Sequence, residues 1–278
     1  MWLNGRVVEE DEACIAPGDH GFLVGDGVFE TLRSYGGVPF AVGEHGERLA
    51  AGAATLGIDA PSVERFEEAV RAVLEANGLA DARIRATLTS GPGPPGLTRG
   101  GPSTFLVTAR SMVPWPPTAS AIVSGTVRHD ESGPLAAVKT IGLADSLMAQ
   151  REARERGTDE ALLLNTAGEI VEATTANVFI VLDGRLETPP PGSGCLLGIT
   201  RERVIALSHD IGMPAVQPPI RPLALKAAEE IFLTSSTREI QPLVRLDGDP
   251  VGTGEPGPVT QKLAAAFSEM VRAEVAAG

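Results

Sequence analysis

The chain has 278 residues, 43% of them hydrophobic and 4% aromatic, which is typical of one large globular domain or two modest ones. Lys and Arg together number 23 against 36 Asp and Glu, so the formal net charge is −13. This acidity, with no basic run to offset it, argues against nucleic acid and membrane surfaces as partners. Two cysteines and four histidines without ligand spacing argue against a metal site.

The N-terminal residues carry a prediction about location. Residues 1–6 lead directly into a run of acids, without the charged leader and apolar core of a signal peptide. No apolar stretch of 18 residues follows elsewhere in the chain. We therefore expect a cytoplasmic protein.

The first hundred residues alternate between β-type runs bounded by turn formers and amphipathic helical patterns. A hairpin is predicted over residues 31–40, with its turn at Gly36 and Gly37. Two helices and two further strands follow it, over residues 44–56, 63–77, 83–89 and 104–108. A loop rich in Gly and Pro, residues 91–101, separates the last two strands.

A proline cluster marks the predicted domain boundary. Pro114, Pro116 and Pro117 fix φ and remove backbone donors, so this segment continues neither a helix nor a sheet. We therefore predict an N-terminal α/β domain over residues 1–112, a Pro-rich linker over 113–120 and a C-terminal domain over 121–278.

The C-terminal part combines short β-type runs with helical patterns. Four of the runs are separated by hairpin turn signals and are predicted to form an antiparallel meander, over residues 161–164, 169–171, 177–181 and 185–186. Helices are predicted over residues 145–156, 201–210, 223–230 and 260–276. Further strands are predicted over residues 121–127 and 231–233.

Lysine is rare enough to be considered residue by residue. Of the 23 basic residues only Lys139, Lys226 and Lys262 are lysines, and the last two lie on polar helix faces. Lys139 lies in an apolar stretch with no acid before Asp145. Burial disfavours the ammonium form, which makes such a lysine suitable as a Schiff-base nucleophile or a proton shuttle. The alternative is a lysine that extends into solvent from a strand end.

A Schiff-base lysine indicates pyridoxal phosphate, whose phosphate needs hydrogen-bond donors. Residues 194–201 run from a glycine-rich turn into a helix, so backbone N–H groups and the Thr200 hydroxyl are available to an anion. A plain N-cap by Thr200 is the alternative. Four consecutive hydroxyl residues, 234–237, are either a cap cluster or further phosphate donors.

Glu172 is the candidate partner for the ring nitrogen of this cofactor. It lies between two apolar β-type runs with no positive charge nearby in sequence. A carboxylate buried there requires a partner. A protonated pyridine nitrogen would serve.

Five motifs, spread from residues 18–31 to residues 239–243, then occur in the order and spacing of a known family. The chain resembles the class IV aminotransferases, the fold-type-IV pyridoxal-phosphate enzymes. They include branched-chain and D-amino-acid aminotransferases and 4-amino-4-deoxychorismate lyase. The resemblance implies an α/β (α+β) fold with a smaller N-terminal domain and a larger, cofactor-binding C-terminal domain that contains a β-barrel-like sheet.

The resemblance also implies the cofactor ligands. It assigns Lys139 to the Schiff base, Glu172 to the pyridine nitrogen and Leu196 to packing under the ring. Each implied phosphate ligand supplies a hydrogen-bond donor. The ligands are Arg48, the N–H groups of Ile199 and Thr200, and the hydroxyls of Ser235 and Ser236.

Single positions separate the members of the family. Branched-chain enzymes are expected to resemble the chain least. They carry a Tyr five residues after the Schiff-base lysine, and the corresponding position after Lys139 is Ala144. D-amino-acid enzymes have a Tyr where Phe29 stands, and their Arg-x-His motif is missing. The lyase uses a Thr at the position of Thr31 as an acid/base helper, although a Thr on a strand is also a plain β-former.

The substrate carboxylate should be held by an arginine, and Arg85 is the best candidate because its strand leads into the loop over residues 91–101. Arg33, Arg83 and Arg99 are the other candidates, and Phe29 is also expected to contact the substrate. We expect a transaminase that moves an amino group between a small amino acid, D-amino acids and R-amines included, and a 2-oxo acid. The lyase is the alternative, and a non-catalytic pyridoxal-phosphate-binding protein is a third. The loop over residues 91–101 is long, and members of the family use such a loop to cover the active site of a neighbouring subunit. A homodimer is therefore expected.

Overall fold

The computed structural model describes residues 1–277, which form two compact units. The first unit contains Met1–Val113, Val138–Gly142 and the C-terminal residues from Glu274. The second contains Pro114–Ala137 and Leu143–Ala273. Within residues 1–277, no helix combines the length and the apolar character needed to cross a membrane.

The first unit is built on a six-stranded antiparallel sheet with the order β2-β1-β6-β5-β3-β4. Its strands are β1 (Trp2–Leu3), β2 (Arg6–Val7), β3 (Gly27–Tyr35), β4 (Val38–Pro39), β5 (Ala82–Thr89) and β6 (Thr104–Ser111). Its helices are α1 (His20–Val24), α2 (Val42–Leu56) and α3 (Val63–Asn77).

Helix α3 has the bounds that the sequence predicts, because its ends carry strong local signals. The Ser62 side chain accepts a hydrogen bond from Arg65 N at 3.3 Å, and Gly78 ends the helix with a left-handed φ of 59°. Its apolar face packs with α2, β3, β5 and β6 into one core, which includes Phe66, Val70 and Leu32.

The segment Val138–Gly142 belongs to the first unit although it lies in the sequence range predicted for the second domain. It runs along β3: Phe29 N donates to Lys139 O at 3.0 Å, and Ile141 N donates to Gly27 O at 3.0 Å. These backbone bonds place Lys139 beside the start of β3.

The motif before β3 is held by a buried carboxylate. Asp19 caps α1 by accepting from Gly21 N at 2.8 Å. Its other oxygen accepts from the Thr89 hydroxyl at 3.0 Å and from the Thr104 hydroxyl at 2.7 Å. These three contacts fix α1 against the adjacent ends of β5 and β6. The sequence did not predict α1, because a five-residue helix has no apolar periodicity to detect.

The second unit contains an eight-stranded sheet with the order β11-β10-β12-β13-β7-β8-β9, and β14 pairs with β13. Its strands are β7 (Ala119–His129), β8 (Glu160–Asn165), β9 (Ile170–Ala173), β10 (Asn177–Leu182), β11 (Arg185–Glu187), β12 (Glu230–Ser235), β13 (Glu239–Leu246) and β14 (Asp249–Pro250). Its helices are α4 (Ala144–Glu155), a 3₁₀ helix (Pro191–Ser193), α5 (Ile199–Asp210), α6 (Pro222–Ala227) and α7 (Pro258–Ala277), whose last residues group with the first unit.

The predicted meander is wrong in its order. Strands β8 and β9 form one antiparallel hairpin, and β10 and β11 form another. The two hairpins lie at opposite ends of the strand order, because β12, β13 and β7 come between them. Turn signals fix pairing inside each hairpin, but they carry no information on which distant strand becomes the neighbour. Helix α6 also ends earlier than predicted, since Glu230 already belongs to β12.

Candidate active site

In the first unit, alternate residues of β3 point to opposite faces of the sheet. Val28 and Leu32 lie in the core with Leu49 of α2. Phe29 and Thr31 therefore lie on the face away from that core.

One aromatic ring on this face contacts two cations. The Arg85 guanidinium carbon lies 3.8 Å from the centroid of the Phe29 ring, and Lys139 Nζ lies 4.6 Å from the same centroid. Thr31 and Arg85 are directly paired in the register of β3 and β5. The structure therefore brings four sequence-predicted residues together on one sheet face.

Arg85 is oriented by a neighbouring hydroxyl. Its Nε donates to the Thr87 hydroxyl at 3.2 Å, and within residues 1–277 no carboxylate pairs with its guanidinium. Burial, with a smaller effect from Arg83, lowers the pKa of Arg85. A half-buried guanidinium without a carboxylate is a suitable anchor for an anionic group.

Arg85 also lines a cavity of about 370 Å³ inside the first unit. The wall is a mixture of hydroxyl, carboxylate and apolar side chains with one glycine: Ile15, Asp19, Gly21, Phe22, Thr87, Thr89, Thr104, Leu106 and Ile141. Its size is in the range of small-molecule sites.

Arg48 is bound to a carboxylate that the sequence analysis missed. Arg48 Nε donates to Glu30 Oε1 and Arg48 Nη2 donates to Glu30 Oε2, both at 2.7 Å. His45 Nδ1 lies 2.7 Å from Glu30 Oε2. The signal was present, since Glu30 occupies the core-facing position between Val28 and Leu32 and a charge there requires partners.

The protonation states in this cluster follow from burial and charge. Burial raises the pKa of Glu30, but the hydrogen bonds and charge of Arg48, aided by His45, outweigh it and lower the pKa to about 2. Burial lowers the pKa of His45, and the charges of Arg48 and Lys139 add to this effect against the opposing Glu30. A neutral His45 therefore donates Nδ1–H to the carboxylate. Because the Glu30 pKa is depressed, its contribution to stability is present above its ordinary value of 4.5 and is lost as the pH falls toward 2.

Arg99 and Arg33 have other contacts. Arg99 donates to both oxygens of Asp26 at 2.7 Å and to Gly57 O at 2.8 Å. Its guanidinium therefore fastens the loop over residues 91–101 to these two residues. The Arg33 guanidinium lies 4.4 Å from the centroid of Tyr35. Arg85 is a predicted substrate arginine whose guanidinium contacts the Phe29 ring.

In the second unit, a backbone N–H and a side-chain amide hold Glu172 on β9. Leu196 N donates to Glu172 Oε2 at 3.0 Å, and Asn177 Nδ2 donates to the same oxygen at 3.2 Å. Asn177 Nδ2 also donates to Leu196 O at 2.7 Å. An added Cβ at Gly198 would lie 2.1 Å from Asn177 Oδ1, so any larger residue there would require the Asn177 side chain to move. Asn177, which fixes the Glu172 carboxylate, was not among the residues predicted from the sequence.

The N-terminus of α5 has backbone N–H groups that can bind an anion. Gly198 occupies the N-cap position without a side-chain hydrogen bond to the first turn, so Thr200 does not cap its own helix. The N–H groups of Ile199 and Thr200 belong to the first turn, whose donors lack partners inside the helix. Among the residues that the structure describes, Thr234 Oγ1 is buried without a hydrogen-bond partner. Thr234 is paired with Asn177 in the register of β10 and β12. Ser235 ends β12, and Ser236 follows it.

This donor set fits pyridoxal phosphate. Backbone N–H groups at a helix start and serine hydroxyls suit a phosphate. The fixed Glu172 carboxylate of the same unit suits a protonated ring nitrogen. In the first unit, the Lys139 amine suits an aldehyde. Thr234 Oγ1 offers one further donor, buried beside Asn177.

Comparison with known proteins identifies the family. A class IV aminotransferase family model matches residues 27–246. A protein from Methanocaldococcus jannaschii, provisionally named a branched-chain-amino-acid aminotransferase, is 37% identical over 97% of this chain and 96% of its own length. A D-alanine aminotransferase from Bacillus licheniformis is 30% identical over 99% of this chain and 98% of its own length.

Two solved structures agree in fold. The branched-chain aminotransferase of Thermoproteus uzoniensis with norvaline has a TM-score of 0.92 and 35% identity, covering 97% of this chain and 93% of its own. A branched-chain aminotransferase from T.th., complexed with N-(5'-phosphopyridoxyl)-L-glutamate, has a TM-score of 0.91 and 31% identity, with the same coverage.

The expectation that branched-chain enzymes resemble this chain least is therefore wrong. It depended on single positions such as Ala144, whereas the identity to those enzymes extends over nearly the whole chain. The fold, the family match and the donor set agree. The chain belongs to the class IV aminotransferases and is a pyridoxal-phosphate-dependent transaminase.

Proposed function

We propose that the enzyme transfers the amino group of a small amino acid, whose carboxylate pairs with Arg85, to a 2-oxo acid. The observation that carries this proposal is the Arg85 guanidinium, stacked at 3.8 Å on Phe29 beside Lys139 and without a carboxylate partner in the described chain. Amino acids and 2-oxo acids share the carboxylate that such an anchor would bind bidentately.

The roles of the other residues follow from their chemistry. We propose that Lys139 binds the cofactor and that its Nζ removes and returns the proton at the substrate Cα. Glu172 would hold a proton on the ring nitrogen, and Leu196 would pack against the ring. When bound, pyridoxal phosphate supplies the electron sink for the carbanion at Cα. The phosphate ligands would be Arg48, the N–H groups of Ile199 and Thr200, and the hydroxyls of Ser235 and Ser236.

Replacing Arg85 with leucine tests the anchor. We expect the KM for the amino acid to rise by about 10- to 100-fold, the range for a lost charge-assisted contact, with a smaller change in kcat. Steady-state kinetics with L-leucine, L-valine and D-alanine, each with 2-oxoglutarate, measures this and identifies the preferred donor. Arg83→Leu is the matched control, because Arg83 is exposed on the same strand. Equal effects of the two variants would contradict the proposal.

The lyase remains a second candidate because Thr31 is paired with Arg85 on the face that carries Phe29. If Thr31 only forms the strand, the nearly isosteric Thr31→Val should lower transamination severalfold. If it is an acid/base helper, pyruvate release from aminodeoxychorismate should fall about 100- to 10,000-fold. The transaminase proposal would be overturned if the wild-type enzyme released pyruvate efficiently and transferred no amino group, and if Thr31→Val lost pyruvate release by that larger factor.

We also propose that the enzyme is a homodimer. Exposed apolar side chains cluster in sequence around α1 and the loop over residues 91–101, namely Phe22, Leu23, Val24 and Leu97. His20 Nε2 lies 3.1 Å from Pro94 O, which ties this loop to α1. A second copy of the chain would remove this apolar surface from water.

A further inference from the structure

Glu30 is a buried charge whose presence needs a reason beyond packing. The residue is fully buried, and its neighbours on the same face of β3, Val28 and Leu32, belong to the hydrophobic core. An apolar side chain would fill this position without the cost of removing a carboxylate from water.

The Glu30 carboxylate fixes the plane of the Arg48 guanidinium. Two parallel N–H···O bonds of 2.7 Å join Nε and Nη2 of Arg48 to the two carboxylate oxygens. His45 Nδ1–H donates to Oε2 at 2.7 Å, so the carboxylate cannot rotate without losing a partner. An arginine on a flexible stem is thereby held in one orientation.

Exposure distinguishes the three members of this cluster. The side chains of Glu30 and His45 are each 1% exposed, whereas that of Arg48 is 20% exposed. Glu30 and His45 therefore lie beneath Arg48, which is the member that reaches toward solvent.

We infer that Glu30 is a positioning residue that orients Arg48 for the phosphate of pyridoxal phosphate, with His45 locking the carboxylate. The inference rests on the proposed role of Arg48 as a phosphate ligand. A merely structural ion pair would affect folding, but it would not distinguish ligands with a phosphate from ligands without one.

The experiment compares pyridoxal phosphate with pyridoxal, which carries the same aldehyde and ring but no phosphate. Apoprotein of the wild type, Glu30→Gln, Glu30→Asp, Arg48→Ala and the double variant E30Q/R48A is titrated with each ligand by absorbance. We expect Glu30→Gln to weaken pyridoxal phosphate about 10- to 100-fold, because an amide cannot accept from all three donors, and pyridoxal less than about threefold. Glu30→Asp keeps the charge with a shorter reach and should give an intermediate loss.

Two controls sharpen the result. Glu47→Gln makes the same change of charge on the exposed side of α2, next to Arg48, and should leave the ratio of the two dissociation constants unchanged. The double variant should show no greater loss of phosphate discrimination than Arg48→Ala alone, because both changes act through one guanidinium.

The outcomes separate this inference from the proposed function. If Arg48→Ala leaves the ratio of the dissociation constants of pyridoxal and pyridoxal phosphate unchanged, Arg48 is not a phosphate ligand. If Arg48→Ala abolishes the discrimination but Glu30→Gln preserves it, only the positioning role is overturned. An equal loss for both ligands, accompanied by a lower Tm of the apoprotein, would show a purely structural ion pair. Should Glu30→Gln not fold, Glu30→Asp and His45→Gln must show the same selective loss, in smaller degree, and its absence overturns the inference.

Discussion

Replacing Lys139 with alanine is expected to abolish both the visible absorbance of the bound cofactor and turnover. The side chain is half-buried beside Phe29, and the segment that carries it is bonded to β3. Because it would act as nucleophile and as proton carrier, the loss in kcat should be about 10,000-fold or more. The measurements are an absorbance spectrum of the purified variant and a coupled transamination assay.

The two other lysines provide the controls. Lys226 and Lys262 are exposed on α6 and α7, so alanine at either position should leave the spectrum and turnover within severalfold of wild type. Borohydride reduction followed by peptide mapping should place the cofactor on Lys139. Mapping to Lys226 or Lys262, or a yellow Lys139→Ala protein, would refute the assignment.

Replacing Glu172 with glutamine should lower kcat by about 100- to 10,000-fold, an effect as large as that of losing a general acid or base, because the cofactor would lose the charge that makes it an electron sink. Glutamine keeps an oxygen that can accept from Leu196 N, so the contact between β9 and Leu196 should persist. It carries no negative charge, so it would not keep a proton on the ring nitrogen. Stopped-flow single-turnover kinetics separates this effect on chemistry from an effect on substrate binding.

Glu169→Gln is the matched control for Glu172→Gln. Glu169 lies in the β8–β9 turn, where its carboxylate accepts from Asn165 Nδ2 at 3.3 Å. This variant should keep kcat within severalfold of wild type. A Glu172→Gln enzyme with comparable kcat would remove Glu172 from the chemistry.

Local signals account for the parts of the fold that the sequence predicted. Helix α3 has a capping Ser62 and a terminal Gly78, and β3 and β5 are bounded by turn formers. The lysine was detectable because Lys139 is one of three lysines and has an apolar context. Such signals need only a few neighbouring residues.

The remaining features depend on contacts between distant residues. The order of β8 to β11 was decided by β12 and β13, which come later in the chain. Arg48 pairs with Glu30, 18 positions away, and no local pattern connects the two residues. Periodicity alone identifies Glu30 as a misplaced charge without naming its partner.

The grouping of Val138–Gly142 with the first unit limits how the gene can be divided. The chain passes between the units after residues 113, 137, 142 and 273, so neither unit is a single continuous stretch. A fragment ending at residue 113 would leave Phe29 N and Gly27 O without the partners they have in the segment. It would also part Arg85 from the lysine that shares its aromatic ring. Gene shuffling among relatives is thus constrained to exchange this short segment together with β3, although more than a hundred residues of sequence separate them.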